Sequence, residues 1–155
     1  MFKLKGAKAE TPDMYLGATI QNAENADRTT CWTMSSEKYV KAAVENVELN
    51  LSKSQHMMPS RCVNPMSTSY HPSEDVSKEM NVQGVQTYQE LIGILRWAVE
   101  IVRVDILLEV SLLSSHLALP RVGHLQAVYR IFGYFKQVPK RKLYFDPTKP
   151  SISIL

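Results

Sequence analysis

Apolar residues recur at intervals of three and four positions in several long stretches of the chain, and this spacing predicts amphipathic helices. The pattern is clearest over residues 86–101. A helix over 36–51 precedes this stretch, and helices over 106–118 and 121–137 follow it. The apolar positions that define the four helices are Val40, Ala43, Val44, Val47 and Leu51; Tyr88, Leu91, Ile92, Leu95, Ala98 and Val99; Ile106, Leu107, Leu108, Val110, Leu112, Leu113 and Leu117; and Leu125, Val128, Phe132 and Phe135.

The ends of these helices carry recognisable signals. Ser35 or Ser36 offers a capping hydroxyl to the first helix, and Asp105 is placed to cap the third. Pro120 stands before the fourth helix and Pro139 ends it. The density of apolar residues in the third helix predicts that it is deeply buried.

Short runs rich in aromatic and branched residues predict strands at 14–20, 31–34 and 142–145. The polar stretch 21–30 would link the first two as a hairpin. Two strands alone are marginal in water, so we expect their missing neighbours upstream. Residues 52–85 are rich in proline and serine and predict a long loop, with an extended piece near 61–64. The fold class is therefore α+β and mostly helical.

Composition places the chain among ordinary globular proteins, as one domain or part of a larger one. It has 155 residues and a net charge of +3. No apolar run reaches the ~18 residues that a membrane span needs, and two distant cysteines do not indicate a disulfide scaffold. From residue 121 to 149 there are seven lysines and arginines against one acid. Such a basic stretch suits a phosphate-bearing partner and equally suits the solvated side of a helix.

We find no catalytic constellation in the sequence. There is no paired-aspartate magnesium motif, no phosphate-binding glycine loop and no nucleophile motif. His56, Cys62 and His71 do not follow the spacing of a structural zinc site. His116 and His124 stand at helix ends, where capping or surface roles are usual.

One row of side chains in the 86–101 helix calls for an explanation. Gln89, Gly93 and Trp97 are spaced four apart, so they stack along one side of the helix. A glycine in mid-helix costs about 1 kcal/mol relative to alanine. Either it lets a flat partner such as a nucleic-acid groove approach, with Arg96 nearby for phosphates, or it admits a neighbouring helix and Trp97 is half-buried core.

The order of motifs resembles the reverse transcriptase of copia-type retrotransposons, downstream of its catalytic aspartates. Residues 14–20, MYLGATI, resemble the family's YLGxxI segment, and residues 31–40 resemble the strand and helix that follow it. Residues 61–66 stand at its TPM-like segment, with asparagine in place of threonine. YQELIGIL at 88–95 is similar to YRxLIGSL, RVDI at 103–106 to RPDI, and Pro120 to Lys136 to PxxxHxxAxxRxLxYLK.

This resemblance implies a division of the chain by function. Residues 1–34 would be the end of the polymerase palm, where a primer-grip-like hairpin carries Met14, Tyr15, Leu16 and Gly17. Residues 35–51 would form the first helix, 52–85 a loop, and 86–138 thumb- and connection-like helices. Residues 139–155 would lead toward a missing RNase H domain. In the retroviral relatives a glutamine, glycine and tryptophan at the same steps track the duplex minor groove, which implies nucleic-acid binding by Gln89, Gly93, Arg96 and Trp97.

The resemblance also implies what the chain lacks. It begins after the family's magnesium-binding aspartates and ends before the acidic residues of RNase H, so we expect no catalysis by this chain alone and no cofactor in it. Magnesium is implied for the parent polymerase. The implied partners are an RNA–DNA or DNA duplex and the remainder of the reverse transcriptase and RNase H polypeptide, in the cytoplasm or nucleus and without a membrane. The alternative is a domesticated helical module that binds protein.

Overall fold

The computed structural model describes residues 13–24, 28–53 and 57–145. The predictions for residues 1–12 and for the tail 146–155 lie outside the described residues. The elements are, in chain order, β1 (Met14–Tyr15), β2 (Ala18–Glu24), β3 (Thr30–Ser35), α1 (Glu37–Lys53), α2 (Val82–Ile101), α3 (Leu107–Ser114), α4 (Val122–Gln137) and β4 (Lys142–Phe145). Short 3-10 turns lie at Pro72–Glu74 and Val104–Ile106. The α+β, mostly helical class is confirmed.

The strands form one antiparallel sheet in the order β1-β2-β3-β4. The run 14–20, predicted as one strand, breaks into two because Leu16 and Gly17 both have positive φ, at 50° and 93°. Consecutive positive φ values define the tight type I′ hairpin turn. β2 then continues through Glu24, so residues 21–24 of the predicted loop 21–30 are strand.

The last strand supplies a neighbour for β3. β4 pairs with β3, and Trp32 lies opposite Phe145 in that pairing. The two ends of the described chain therefore meet in one sheet. The described residues form a sheet of four strands rather than two, with β1 at one edge.

The helices pack around one main core. All the apolar positions predicted for α1 are buried, and Tyr88, Leu91, Ile92, Leu95 and Ala98 of α2 are buried with them. α2 starts at Val82, four residues before the predicted start, because the Asn81 side-chain oxygen accepts a hydrogen bond from the Gly84 N–H at 2.9 Å. α4 follows the prediction closely.

The third helix differs most from its prediction. It runs from Leu107 to Ser114 instead of 106–118, and Asp105 does not cap it. Only its Val110 and Leu113 side is buried, while Leu107 and Leu108 are 54% and 67% exposed. A helix of two turns that packs on α2 with one side leaves its remaining apolar side chains in solvent, so the expected deep burial is wrong.

The long loop lies against α4 rather than extending from the fold. It contains no strand near 61–64, where Arg61 has a φ of 59°. Gly133 lets the loop approach closely, since a Cβ at that position would stand 2.5 Å from the Pro59 carbonyl oxygen and 2.8 Å from the Cys62 sulfur. A single antiparallel bridge between Glu79 and Arg121 closes the loop's far end.

Candidate nucleic-acid interface

The row of Gln89, Gly93 and Trp97 lies on the outer surface of α2. All three residues are exposed, and Trp97 retains 41% of its surface. A Cβ added to Gly93 would meet no atom within 4 Å. Among the described residues, no helix therefore packs against Gly93, and the alternative that this glycine admits one of the described helices is wrong. Trp97 is not a member of either apolar cluster of the described residues.

Gln89 is held in place from the side of α3. Its Nε2 donates a hydrogen bond to the carbonyl oxygen of Leu117 at 3.0 Å. This bond joins α2 to the turn that follows α3 and restricts the rotation of the glutamine. A side chain that is already ordered loses less conformational entropy when it contacts a partner.

Arg96 lies on the edge of this row, beside a shallow groove between α2 and α3. The groove has a volume of about 230 Å³ and is lined by Arg96, Val99, Glu100, Leu107, Val110, Ser111 and Ser114. Arg96 makes no ion pair within the parts of the chain that the structure describes. Its guanidinium is therefore accessible to a phosphate, although the Glu100 carboxylate on the same groove will weaken that attraction.

The β1–β2 turn projects apolar side chains into solvent. Met14, Tyr15 and Leu16 are 60%, 58% and 55% exposed, and Gly17 completes the turn. Ala18, which follows directly, packs against Ile101 and Val102 at the end of α2. Ile101 lies about one helical turn beyond Trp97. The turn therefore lies near the C-terminal end of α2, toward which Trp97 is the last residue of the row, while Gln89 and Gly93 lie further back along the helix.

The basic stretch that begins at residue 121 is partly neutralised by acids. Lys136 lies 2.5 Å from a Glu48 carboxylate oxygen, and Arg121 lies 3.0 Å from that of Glu79. Lys140 and Lys142 remain exposed, and Lys149 is outside the described residues. The surface is therefore less positive than the sequence count indicates.

Arg103 and Asp105 form an ion pair that the sequence interpretation missed. The Arg103 guanidinium is fully buried and donates two hydrogen bonds of 2.8 Å to the two carboxylate oxygens of Asp105. It also donates to the carbonyl oxygen of Val138 at 3.0 Å, and it lies 4.3 Å from the ring centre of Phe135. The Tyr134 hydroxyl donates to Asp105 at 2.9 Å. The pair holds the end of α2 to the end of α4.

The environment of Asp105 favours its charged form. Burial alone would raise the pKa of this carboxyl, but the hydrogen bonds and positive charge of Arg103, with the Tyr134 hydroxyl, outweigh burial and lower it below its usual value. Arg103 and Asp105 are two residues apart, and this spacing was the sequence signal. This spacing alone does not identify a buried ion pair, because the residues that surround the two side chains come from the end of α4.

His124 is buried and has a structural role. Its Nδ1 accepts the Arg121 backbone N–H at 2.9 Å, and its Nε2 lies 2.9 Å from the Pro72 carbonyl oxygen. Because that carbonyl only accepts, Nε2 carries the proton. His124 thus caps the start of α4, as expected for a histidine at a helix end, and it also holds the long loop. The His116 ring stacks on it at 4.2 Å, and burial, followed by the proximity of His124, lowers the pKa of His116.

Two further kinds of feature are absent from the described residues. No group of three or more His, Cys, Asp or Glu side chains is placed to hold a metal ion there; His56, one of the residues considered above, lies outside the described part. No helix within the same ranges is long and apolar enough to cross a membrane.

Comparison with known proteins links the chain to a transposon. It is similar to the transposon Ty5-1 protein of Saccharomyces cerevisiae, with 30% identity over 122 residues, which make up 79% of this chain. The aligned part covers 35% of the yeast protein, so the chain spans about a third of that protein's length. No family model and no solved structure matches the chain. The similarity supports a transposon-derived origin.

Proposed function

We propose that the chain is the duplex-binding part of a copia-type reverse transcriptase, comprising the end of the palm, the primer grip, the thumb and the connection. The observation that carries this proposal is the open surface over Gly93, between the exposed side chains of Gln89 and Trp97. A glycine that no neighbour in the fold requires, at a position where alanine would be more stable, indicates an external partner that approaches the helix closely.

The chemistry of this surface suits a partner that is recognised without regard to sequence. In the minor groove the base edges offer a largely degenerate pattern, and phosphate contacts position a protein without specifying bases. A glutamine amide, a flat indole and one guanidinium match these two kinds of contact. A polymerase requires such binding because it must move along any template.

The proposal assigns the chemical step to another part of the polypeptide. The catalytic aspartates, with the magnesium that they would bind, and the RNase H domain would belong to the remainder of the polymerase. That remainder would contact this chain through the unpaired edge of β1 and the apolar turn at Met14, Tyr15 and Leu16. Its place of action would be the cytoplasm or the nucleus.

The first experiment measures binding of a labelled RNA–DNA hybrid by fluorescence anisotropy across a series of salt concentrations. We expect Trp97→Ala to weaken binding at least about fivefold, since loss of an aromatic contact with nucleic acid is worth about 1–3 kcal/mol. Arg96→Ala should reduce the slope of log K against log salt by about one, the loss of one phosphate contact.

The chain supplies a matched control for each variant. Tyr144 is an exposed aromatic residue, at 59%, and lies on β4, outside both the primer-grip-like hairpin and the helices, so Tyr144→Ala should leave the affinity unchanged. Arg61 is exposed in the long loop, so Arg61→Ala should leave the salt slope unchanged. Equal losses in Trp97→Ala and Tyr144→Ala would contradict the proposal, and salt-insensitive binding to a protein through the same surface would support the protein-interaction alternative.

A further inference from the structure

A cleft opens between α1, α2 and α4. It has a volume of about 320 Å³, at the lower end of the ~300–1,000 Å³ that ligand sites occupy. The buried side chains of Val47, Leu51 and Leu91 belong to its lining and give it an apolar floor. No residue of the row Gln89, Gly93 and Trp97 belongs to that lining. The cleft is therefore a feature separate from the candidate nucleic-acid interface.

The rim of the cleft carries carboxamide side chains whose hydrogen-bonding capacity is largely unused. Asn46 and Asn50 lie one turn apart on α1, and Gln83 of α2 lines the same cleft. The Asn50 Nδ2 donates to the Asn46 Oδ1 at 3.4 Å, which is long for a hydrogen bond. The side-chain amide of Gln83 has no partner among the described residues. Donors and acceptors on this rim are thus available to a ligand.

The Tyr129 hydroxyl on α4 is a further polar group that a ligand can reach. The side chain is partly buried and lines the cleft, but its hydroxyl has no hydrogen-bond partner within the part of the chain that the structure describes. Unlike the Ser36 hydroxyl, it is not shielded from solvent. Burial raises the pKa of Tyr129, so the group is protonated at neutral pH and offers both a donor and an acceptor.

Glu90 gives the cleft a negative charge. It is exposed, and it is the only aspartate, glutamate, lysine or arginine among the described residues of the lining. It makes no ion pair with any other described residue. Because an exposed carboxylate alone attracts a cation only weakly, a ligand must also use the polar rim and the apolar floor. The cleft therefore matches a ligand with a positive end and an apolar body.

We propose that this cleft binds an arginine side chain of a polypeptide partner. The guanidinium is planar, has five N–H donors and is more weakly hydrated than a lysine ammonium, so it suits a partly apolar cleft better. Its donors match the Glu90 carboxylate, the amide oxygens of the rim and the Tyr129 hydroxyl, while the methylene groups of its stem cover the apolar floor. Each carboxamide of the rim combines a donor with an acceptor and so complements the peptide groups that flank an arginine. The site uses none of the residues assigned to duplex binding, so the two proposals can fail independently.

The direct test follows the side-chain NH₂ signals of Asn46, Asn50 and Gln83 in ¹H–¹⁵N NMR spectra of the whole chain while N-acetyl-arginine amide is added. The control ligand is N-acetyl-citrulline amide, which has nearly the same shape and no charge. We expect a saturable shift with the arginine derivative and a dissociation constant about fivefold higher for the citrulline derivative, the scale of an exposed ion pair. Equal dissociation constants, or a shift that does not saturate, would overturn the proposal.

A pair of variants tests the part assigned to Glu90. Glu90→Gln should make the dissociation constants of the two ligands equal, and its melting temperature should stay close to that of the wild type because the side chain is exposed. Glu45→Gln changes an exposed acid of α1 that does not line the cleft and should keep the preference for arginine. A preference that persists in folded Glu90→Gln, or that is lost in Glu45→Gln, would contradict the assignment.

A third ligand distinguishes a polypeptide from a small organic cation. Propylguanidinium carries the positive end and the apolar stem of arginine but lacks the flanking peptide groups. We expect it to bind more weakly than N-acetyl-arginine amide, because the carboxamides of the rim then lose their partners. Equal affinity for the two cations would overturn the assignment to a polypeptide, and absence of a shift with both would refute the site.

Discussion

Replacement of Asp105 by alanine tests the structural role that the fold gives to the Arg103–Asp105 pair. The change leaves the fully buried Arg103 guanidinium with the Val138 carbonyl oxygen and the Phe135 ring as its remaining partners. Loss of one partner of a buried ion pair usually destabilises by about 3–5 kcal/mol. The Asp105 side chain is 26% exposed, so we expect the lower end, about 3 kcal/mol.

This loss is large enough to measure by urea denaturation. With a slope of about 2 kcal/mol per molar urea, typical of a small domain, the midpoint should fall by about 1.5 M. Glu45→Ala, which changes an exposed acid on α1, should stay within about 0.5 kcal/mol of the wild type. The double variant Arg103→Met/Asp105→Leu should recover much of the stability, because an apolar pair of similar volume often replaces a buried ion pair without loss.

The pH dependence of the same variant provides an independent check. Because the folded pKa of Asp105 lies below its usual value of about 3.9, the pair contributes its full stability above that pH and loses it as the pH falls through the folded pKa. The difference in unfolding free energy between wild type and Asp105→Ala should therefore shrink below about pH 4. A loss under 1 kcal/mol at pH 7, or a difference that does not change with acid, would refute the reasoning.

Three further substitutions test the close approaches and turns of the fold, each by its melting temperature. Gly133→Ala should destabilise by about 1–3 kcal/mol, since the new Cβ meets the Pro59 carbonyl oxygen at 2.5 Å and the backbone must shift. Gly93→Ala is its matched control and should stabilise by up to about 1 kcal/mol, because no atom lies within 4 Å; the same sign for both glycines would contradict the packing. Leu16→Asn should stabilise by up to about 1 kcal/mol, because asparagine tolerates the φ of 50° better than leucine, and a lower melting temperature would argue against the type I′ turn.

The parts of the fold that were predictable are those that local spacing determines. The buried positions of α1, from Val40 to Leu51, follow from their intervals alone. The pairing of Trp32 with Phe145 does not, because the two residues are more than a hundred positions apart and no local pattern joins them. The turn at Leu16 was missed for a different reason, since leucine is an unusual residue at positive φ.

In the candidate site, as in the fold, the sequence predicts what depends on neighbouring positions and not what depends on distant elements. The spacing of Gln89, Gly93 and Trp97 predicted correctly that they share one side of α2, but the space over Gly93 depends on where the other helices lie. Asp105 was predicted as a helix cap because caps are recognised locally. Its partnership with Arg103 and Tyr134 depends on the position of α4.

We propose that Gly93 is a glycine because a nucleic-acid duplex approaches α2 at that point. The most direct test is the affinity of Gly93→Leu for an RNA–DNA hybrid, measured with the melting temperature of the same preparation. Leucine is a good helix former, and its Cβ would meet no atom within 4 Å, so the fold should melt at the same temperature or higher. We expect binding at least about tenfold weaker, a loss of about 1.4 kcal/mol. Unchanged affinity in a well-folded Gly93→Leu variant would contradict it.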